Sequence, residues 1–290
     1  MIPAPFEYSA PKSLEEALRL VERHGDEAKI LAGGQSLLPL MKLRLASPRY
    51  IVSLGRLRGL NYIREESGEI LIGGLTTHAE VVASALLREK CPLLPESAGE
   101  IGDVQVRNRG TLGGSLAHAD PAADYPAAIL ALDVEIIATS SSGKRKIPAR
   151  EFFVDLLTTQ LRPGEILTEV RVPVLAAREG TAYCKMYQPA SGFAIVGAAA
   201  RVAVSAKGKI EQAALGITGL AAKAYRAGGV EKSLRGAPAN EKTLAAAVHG
   251  VAHGVEPLSD LHASAEYRRE MAGVYARRAL NLAIERAMAR

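Results

Sequence analysis

Two short stretches carry paired glycines beside small hydroxyl residues. "ILAGGQSLLPLMKLRL" (30–45) holds Gly33, Gly34 and Ser36, and "RNRGTLGGSLAHADPAADYP" (107–126) holds Thr111, Gly113, Gly114 and Ser115. Glycine loses more backbone entropy on folding than any other residue, so a pair needs a reason: a tight turn, or something that approaches closer than a β-carbon would allow. Successive backbone N–H groups freed of side chains can converge on phosphate oxygens, and hydroxyls add donors. A helix starting after Ser36 would add its dipole. Two such loops suit a diphosphate with two arms better than a single phosphate. Asp120 and Asp124 sit just downstream, where a carboxylate could accept from ribityl or ribose hydroxyls. The bland alternative is a pair of ordinary turns.

Other chemistry-bearing residues are sparse. His249 and His253 have the spacing of two metal ligands on one helix face, but "VHGVAHGVEP" offers no third ligand and reads as an exposed helix end or loop. His118 reads equally as a contact to a bound group or a turn residue. Cys91 and Cys184 read as isolated small hydrophobes, and two cysteines supply neither a disulfide framework nor the thiolates of an iron–sulfur cluster. The arginine pairs 268–269 and 277–278 suit either a docking face for an acidic partner or a solvated helix face. No nucleophile motif of the Ser/His/Asp kind is present.

The elements that would position the loops follow from periodicity and caps. Ser13 and Glu16 form a capping box for a helix over 13–25, with Leu14, Ala17, Leu18 and Val21 as its apolar stripe. A strand "AKIL", a helix over "SLLPLMKLRL" and a strand "YIVSL" complete a β–α–β unit without a G-x-G-x-x-G. A hairpin turning at Ser67-Gly68 comes next, then a helix over "HAEVVASALLREK" capped by Thr77 and Glu80. A second hairpin turns through the Ser-Gly stretch of "VEIIATSSSGKRKIPA", and a strand over 165–174 ends at Pro173. Past residue 176 the texture changes to two or three antiparallel strands with a turn at 207–208, alanine-rich helices and a long C-terminal helix. A domain boundary is expected there.

With these residues in view, the chain resembles the flavoprotein medium subunits of molybdenum hydroxylases, the carbon monoxide dehydrogenase and xanthine dehydrogenase relatives. "AGGQSLLPLMKLRLASP" and "QVRNRGTLGGSLAHADPAADYP" look like their two FAD-binding signatures. "FEYSAPKSLEEAL", "TTQLRPGEILTEVRVP" and "EYRREMAGVYARRAL" extend the likeness over the whole chain. The resemblance implies an α+β fold: a FAD-binding domain of the PCMH/vanillyl-alcohol-oxidase type (1–175, subdomains about 1–57 and 58–175) and a C-terminal domain (176–290) of a small antiparallel sheet and helices. It further implies that Ala32, Gly33, Gly34, Gln35 and Ser36 wrap the pyrophosphate, with Leu37 beside them. Thr111, Gly113, Gly114 and Ser115 would make the second contact set, and Asp124 would meet the ribityl or isoalloxazine edge. Ile101, Gly102, Leu161 and Lys185 match further positions that line the flavin. Phe193 stands where several relatives carry a tyrosine over the ring, and it can stack but not hydrogen-bond. Gln35 stands where many have histidine.

The implied function is that of a FAD-binding electron-transfer subunit. A large partner would carry molybdopterin and a small partner [2Fe–2S] clusters, in a dimer of heterotrimers, and this chain would pass electrons to NAD, a quinone or oxygen. The runner-up is a self-contained flavin oxidoreductase acting on its own small organic substrate, which would need positioned acid–base residues. A nucleic-acid-binding or scaffold reading fits poorly. The net charge of +5 is spread along the chain, aromatic residues make up only 4% and tryptophan is absent, so there is no stacking platform. No run approaches the roughly 20 apolar residues of a membrane span, and the N-terminus lacks a signal-peptide pattern, so the expected compartment is the cytoplasm.

Overall fold

The computed structural model describes residues 2–290. The chain begins with β1 (Glu7–Ser9), α1 (Leu14–His24), β2 (Ala28–Leu31), α2 (Leu37–Lys42) and β3 (Tyr50–Ser53), whose strands form a parallel sheet in the order β1-β3-β2. Ser13 caps α1 by accepting from the Glu16 N–H, but the box is only half closed. The Glu16 carboxylate accepts from the Lys12 N–H rather than from Ser13. The helix expected over 36–45 is shorter, because Arg44 adopts a left-handed φ of 58° and the Leu45 N–H turns back to the Leu40 carbonyl, a helix stop of Schellman type.

The second part contains β4 (Ile63–Glu66), β5 (Glu69–Gly73), α3 (His78–Ala83), α4 (Ala85–Lys90), α5 (Leu93–Gly99), α6 (Val104–Arg109), α7 (Leu112–His118), α8 (Tyr125–Leu132), β6 (Glu135–Ser140), β7 (Gly143–Pro148), α9 (Ala149–Phe152), β8 (Phe153–Asp155), β9 (Thr158–Thr159) and β10 (Ile166–Pro173). Its main sheet runs β4-β5-β10-β6-β7, antiparallel throughout. The β4–β5 hairpin turns where expected, with Ser67 and Gly68 both at positive φ. The helix expected over 78–90 is broken. Ser84 leaves the helical region (ψ 113°), ends α3, and caps α4 by accepting from the Leu87 N–H.

The third part is a sheet β11 (Glu179–Tyr187), β12 (Ala194–Val204), β13 (Ile210–Thr218), β14 (Tyr225–Arg226), followed by α10 (Gly228–Leu234), α11 (Glu241–Ala247) and α12 (Ala265–Ala289). β12 is apolar along nearly its whole length because both faces are covered. Ala198, Ala200 and Val202 pack toward α12, while Ala199 joins the core that contains α8. Glycines permit the close approach on each side. A β-carbon at Gly180 would overlap the Ala283 carbonyl oxygen of α12, and one at Gly216 would lie 2.9 Å from the Ala127 carbonyl carbon of α8. α8 therefore sits between the two larger sheets with every residue buried, and Asp124, which immediately precedes it, lines the cavity between the glycine loops.

Candidate functional site

The two glycine loops meet. A β-carbon on Gly33 would overlap the Arg109 carbonyl oxygen and lie 2.7 Å from the Gly110 Cα, so the loop after β2 rests directly on the segment leading into α7. A β-carbon on Gly113 would lie 2.5 Å from the Gly74 carbonyl oxygen at the end of β5. At Gly33 and Gly113, then, the partner that comes too close for a side chain is the chain itself. Gly34 differs: its φ of +79° is the left-handed conformation that favours glycine.

The loops also differ in what their backbones offer. In the second, the Gly113 N–H donates to the Gly74 carbonyl, the Gly114 N–H to the Thr111 hydroxyl (3.1 Å) and the Ser115 N–H to the Thr111 carbonyl. Its N–H groups are consumed by helix capping, leaving the Thr111 and Ser115 hydroxyls. In the first, the N–H groups of Gly33, Gly34, Gln35, Ser36 and Leu37 find no acceptor among the described residues. A run of unsatisfied donors at the start of α2 has the chemistry of an anion cradle.

Both loops open on a cavity of about 670 Å³, within the ~300–1,000 Å³ typical of sites for organic ligands. Its walls include Ala32, Gly33, Gly34, Gln35, Ser36, Leu37, Ile101, Gly102, Thr111, Gly113, Gly114, Ser115, Asp124, Leu161 and Phe193. Of the residues that the resemblance assigns to the flavin, Lys185 alone stands outside the wall. Its side chain is 1% exposed, and Nζ lies 2.9 and 3.0 Å from the two Asp124 carboxylate oxygens and donates to the Glu100 carbonyl at 2.8 Å. Asp120 and His118 also line the cavity, and the Asp120 carboxylate accepts from the Ala122 N–H. Phe193, 49% exposed, is at the mouth.

Several supporting residues were not foreseen. Tyr183 donates to Asp124 at 2.6 Å, so the carboxylate is held by two side chains of β11, a strand the sequence did not disclose. Burial raises the Asp124 pKa, and the Lys185 ammonium and Tyr183 hydroxyl oppose that rise. Arg107 donates to the carbonyls of Ile101 and Gly102 (3.0 and 3.2 Å), so together with Lys185 it clamps the turn 100–102 against the cavity. The other side of the second loop is gripped by the C-terminal sheet. Thr218 donates to the Pro121 and Ala123 carbonyls, and the Ala194 N–H to that of Ala122. His78 lies in the cavity wall under Gly110, 4% exposed, with Nδ1 unpartnered and its ring 5.3 Å from that of Tyr125. Burial, with the Arg107 charge adding to it, lowers its pKa to about 4.

The remaining sequence candidates fall elsewhere. His249 lies in a single 3₁₀ turn (248–250), and the chain beyond it does not continue as a helix to His253. Burial pushes the Cys91 thiol up to about 12 and raises that of Cys184. For Arg268 both readings of the pair 268–269, a docking face and a solvated helix face, are corrected. This residue is 4% exposed and donates to the Ile195 and Gly219 carbonyls (both 2.7 Å) and to Asp260. Arg269, Arg277 and Arg278 remain exposed.

Comparison with known proteins shows the family. Residues 4–175 match the family described as the FAD binding domain in molybdopterin dehydrogenase, and residues 181–283 match the CO dehydrogenase flavoprotein C-terminal domain. The chain belongs to the flavoprotein subunits of the molybdopterin dehydrogenases. It is 40% identical to the 6-hydroxypseudooxynicotine dehydrogenase complex subunit alpha of Paenarthrobacter nicotinovorans, over 99% of this chain and 97% of that one. It is 38% identical to the carbon monoxide dehydrogenase medium chain of Hydrogenophaga pseudoflava, over 98% of each. A solved carbon monoxide dehydrogenase from Hydrogenophaga pseudoflava, lacking the Mo-pyranopterin moiety, superposes with a TM-score of 0.96 at 39% identity, covering 99% of both chains. The chain is thus an oxidoreductase subunit of α+β fold with a FAD-binding domain, and no described helix is long and apolar enough to cross a membrane.

Proposed function

We propose that this chain is the electron-transfer flavoprotein of a cytoplasmic molybdenum hydroxylase, taking electrons from [2Fe–2S] clusters of a small subunit and passing them to an external acceptor. A large subunit carries the molybdopterin at which substrate is oxidised, and the assembly is a dimer of heterotrimers. Bound FAD supplies a carrier able to take up electrons singly and release them singly or in pairs. The chain's own part is to bind and orient. The run of free N–H groups from Gly33 to Leu37 holds the diphosphate, and that run is the observation that carries the reading. Gln35 and the Ser36, Thr111 and Ser115 hydroxyls complete the polar grip, while the glycines 113 and 114 keep the second loop close. Asp124, fixed by Tyr183 and Lys185, accepts from the ribityl or ring edge. Ile101, Gly102 and Leu161 supply wall, and Phe193 stacks at the mouth. The flavin-binding unit spans 1–175 and the C-terminal unit 176–290.

The test is purification of the tagged full-length chain from its own host. Expected are two co-purifying subunits, stoichiometric molybdenum, and flavin and [2Fe–2S] absorbance. Removing FAD should abolish reduction of the external acceptor while substrate still bleaches the clusters. A chain that purifies alone and oxidises a small organic substrate by itself would overturn the reading in favour of a self-contained flavin oxidoreductase.

A further inference from the structure

A second cavity, of about 330 Å³, lies on the opposite end of α8 from Asp124, at the seam between the α8–α9 segment and the C-terminal sheet. Short residues make the room: Ala131 at the end of α8, Ala203 on β12 and Ala214 on β13. Around them stand Arg150, Arg201, Arg226, Lys232 and Arg235, against only Asp133, Glu179 and Glu231.

Each carboxylate already holds an arginine. Arg150 donates to both Asp133 oxygens, Arg201 to both Glu179 oxygens, and Arg226 to Glu231 at 2.5 Å. Arg201 and Arg226 also reach the terminal carbonyls of α8, at Leu132 and Leu130. After these bonds Arg150 Nη1, Arg201 Nε and Arg226 Nη2 have no acceptor among the described residues, and Lys232 and Arg235 make no ion pair. The Arg201 and Arg226 side chains are mostly buried, whereas Lys232 and Arg235 are exposed at the rim. A floor of mostly buried guanidinium groups with donors to spare, under a cationic rim and with an excess of two positive charges, is the chemistry that binds a multiply charged oxyanion.

We propose that this cleft binds the phosphate group of a soluble phosphate or phosphate ester, on the floor formed by Arg201 and Arg226 and under the rim of Lys232 and Arg235. The ligand bridges the end of α8 and the C-terminal sheet, so it binds the folded chain only and raises its stability by mass action.

The experiment is thermal unfolding of the full chain, kept saturated with FAD so that the flavin cavity is filled. It is run against inorganic phosphate and ribose 5-phosphate, with sodium chloride at matched ionic strength. The unfolding midpoint is expected to rise with either phosphate beyond the chloride control. The Lys232→Ala/Arg235→Ala double variant alters two exposed groups outside any ion pair, so its midpoint without phosphate stays at the wild-type value. Its apparent affinity falls about tenfold or more, the loss expected for charge-assisted contacts. Tighter binding of ribose 5-phosphate assigns the volume to an ester, and equal binding assigns it to free phosphate. A rise no larger than with chloride, or one the double variant keeps in full, overturns the proposal. So does a variant that loses a partner subunit with no phosphate effect in either protein, a result that assigns the cleft to an acidic protein side chain.

Discussion

Substituting Gly33 by alanine separates a cradle for diphosphate from a merely tight turn. The added methyl would overlap the Arg109 carbonyl oxygen and lie 2.7 and 2.8 Å from the Gly110 Cα and Arg109 carbonyl carbon. Ordinary carbon contacts begin near ~3.5 Å, so the two loops must part by about 0.8 Å or more. The obstacle is backbone on both sides, with no flexible side chain to yield. Overpacking of this kind costs about 1–3 kcal/mol. Parting the loops misaligns the donors from Gly33 to Leu37, so the loss falls on ligand affinity, raising the Kd for FAD about 5- to 150-fold. Quenching of flavin fluorescence reads that affinity, with FMN as the comparison because it lacks the adenylate arm. Gly250→Ala serves as the control, since its methyl meets nothing within 4 Å. The expected result is a strongly weakened FAD titration with a narrowed preference over FMN, and a control like wild type. Gly33→Ala protein that keeps its unfolding midpoint and binds FAD within about twofold of wild type would refute the argument that the first loop grips the diphosphate.

Replacing Lys185 with methionine leaves the Asp124 carboxylate buried without its cation and should lower stability by about 3–5 kcal/mol, whereas the Asp124→Asn/Lys185→Met double variant should recover part of that, as a chemical-denaturation cycle would show. The His78 pKa of about 4 lies below the ordinary value near ~6.5, so the folded chain favours the neutral ring. Its contribution is intact above pH ~6.5 and is lost as pH falls toward 4, by roughly 2 kcal/mol at pH 5, and His78→Gln should remove that part of the acid sensitivity in urea titrations at pH 7 and 5. Gly180→Ala would press a methyl against the Ala283 carbonyl and to 2.5 Å from the Ala287 nitrogen. Lifting α12 from β11 should cost about 1–3 kcal/mol, read as a lower unfolding midpoint.

Local grammar in the sequence carried well to the structure where the deciding groups are neighbours. The Thr77–Glu80 capping box closes on both sides, and the Ser67-Gly68 turn and the Lys-Gly turn fall as expected, because each is settled within a few residues. What was not legible depends on distant groups. Ser84 splits a helix that periodicity alone would continue. β11 (Glu179–Tyr187) mixes Cys184, Lys185 and Tyr183 in a pattern that makes sense only once Asp124 is known to face it. Arg268 looked like half of a surface pair, yet its guanidinium closes the ends of β12 and β13 from inside.

The glycine loops show the same limit at the site itself. Both pairs promised N–H groups for phosphate, and composition could not tell them apart. The distinction arises from Gly74 and Thr111, which consume the donors of the second loop and turn it into a capped helix start. Gly113 lets that helix lie on the end of β5, and Gly33 lets the first loop lie on the segment before it. One loop therefore serves as the platform on which the other is held open. A side chain at either contact disturbs the cradle without touching the ligand, whereas a change at the hydroxyl residues that face the cavity would remove ligand contacts directly.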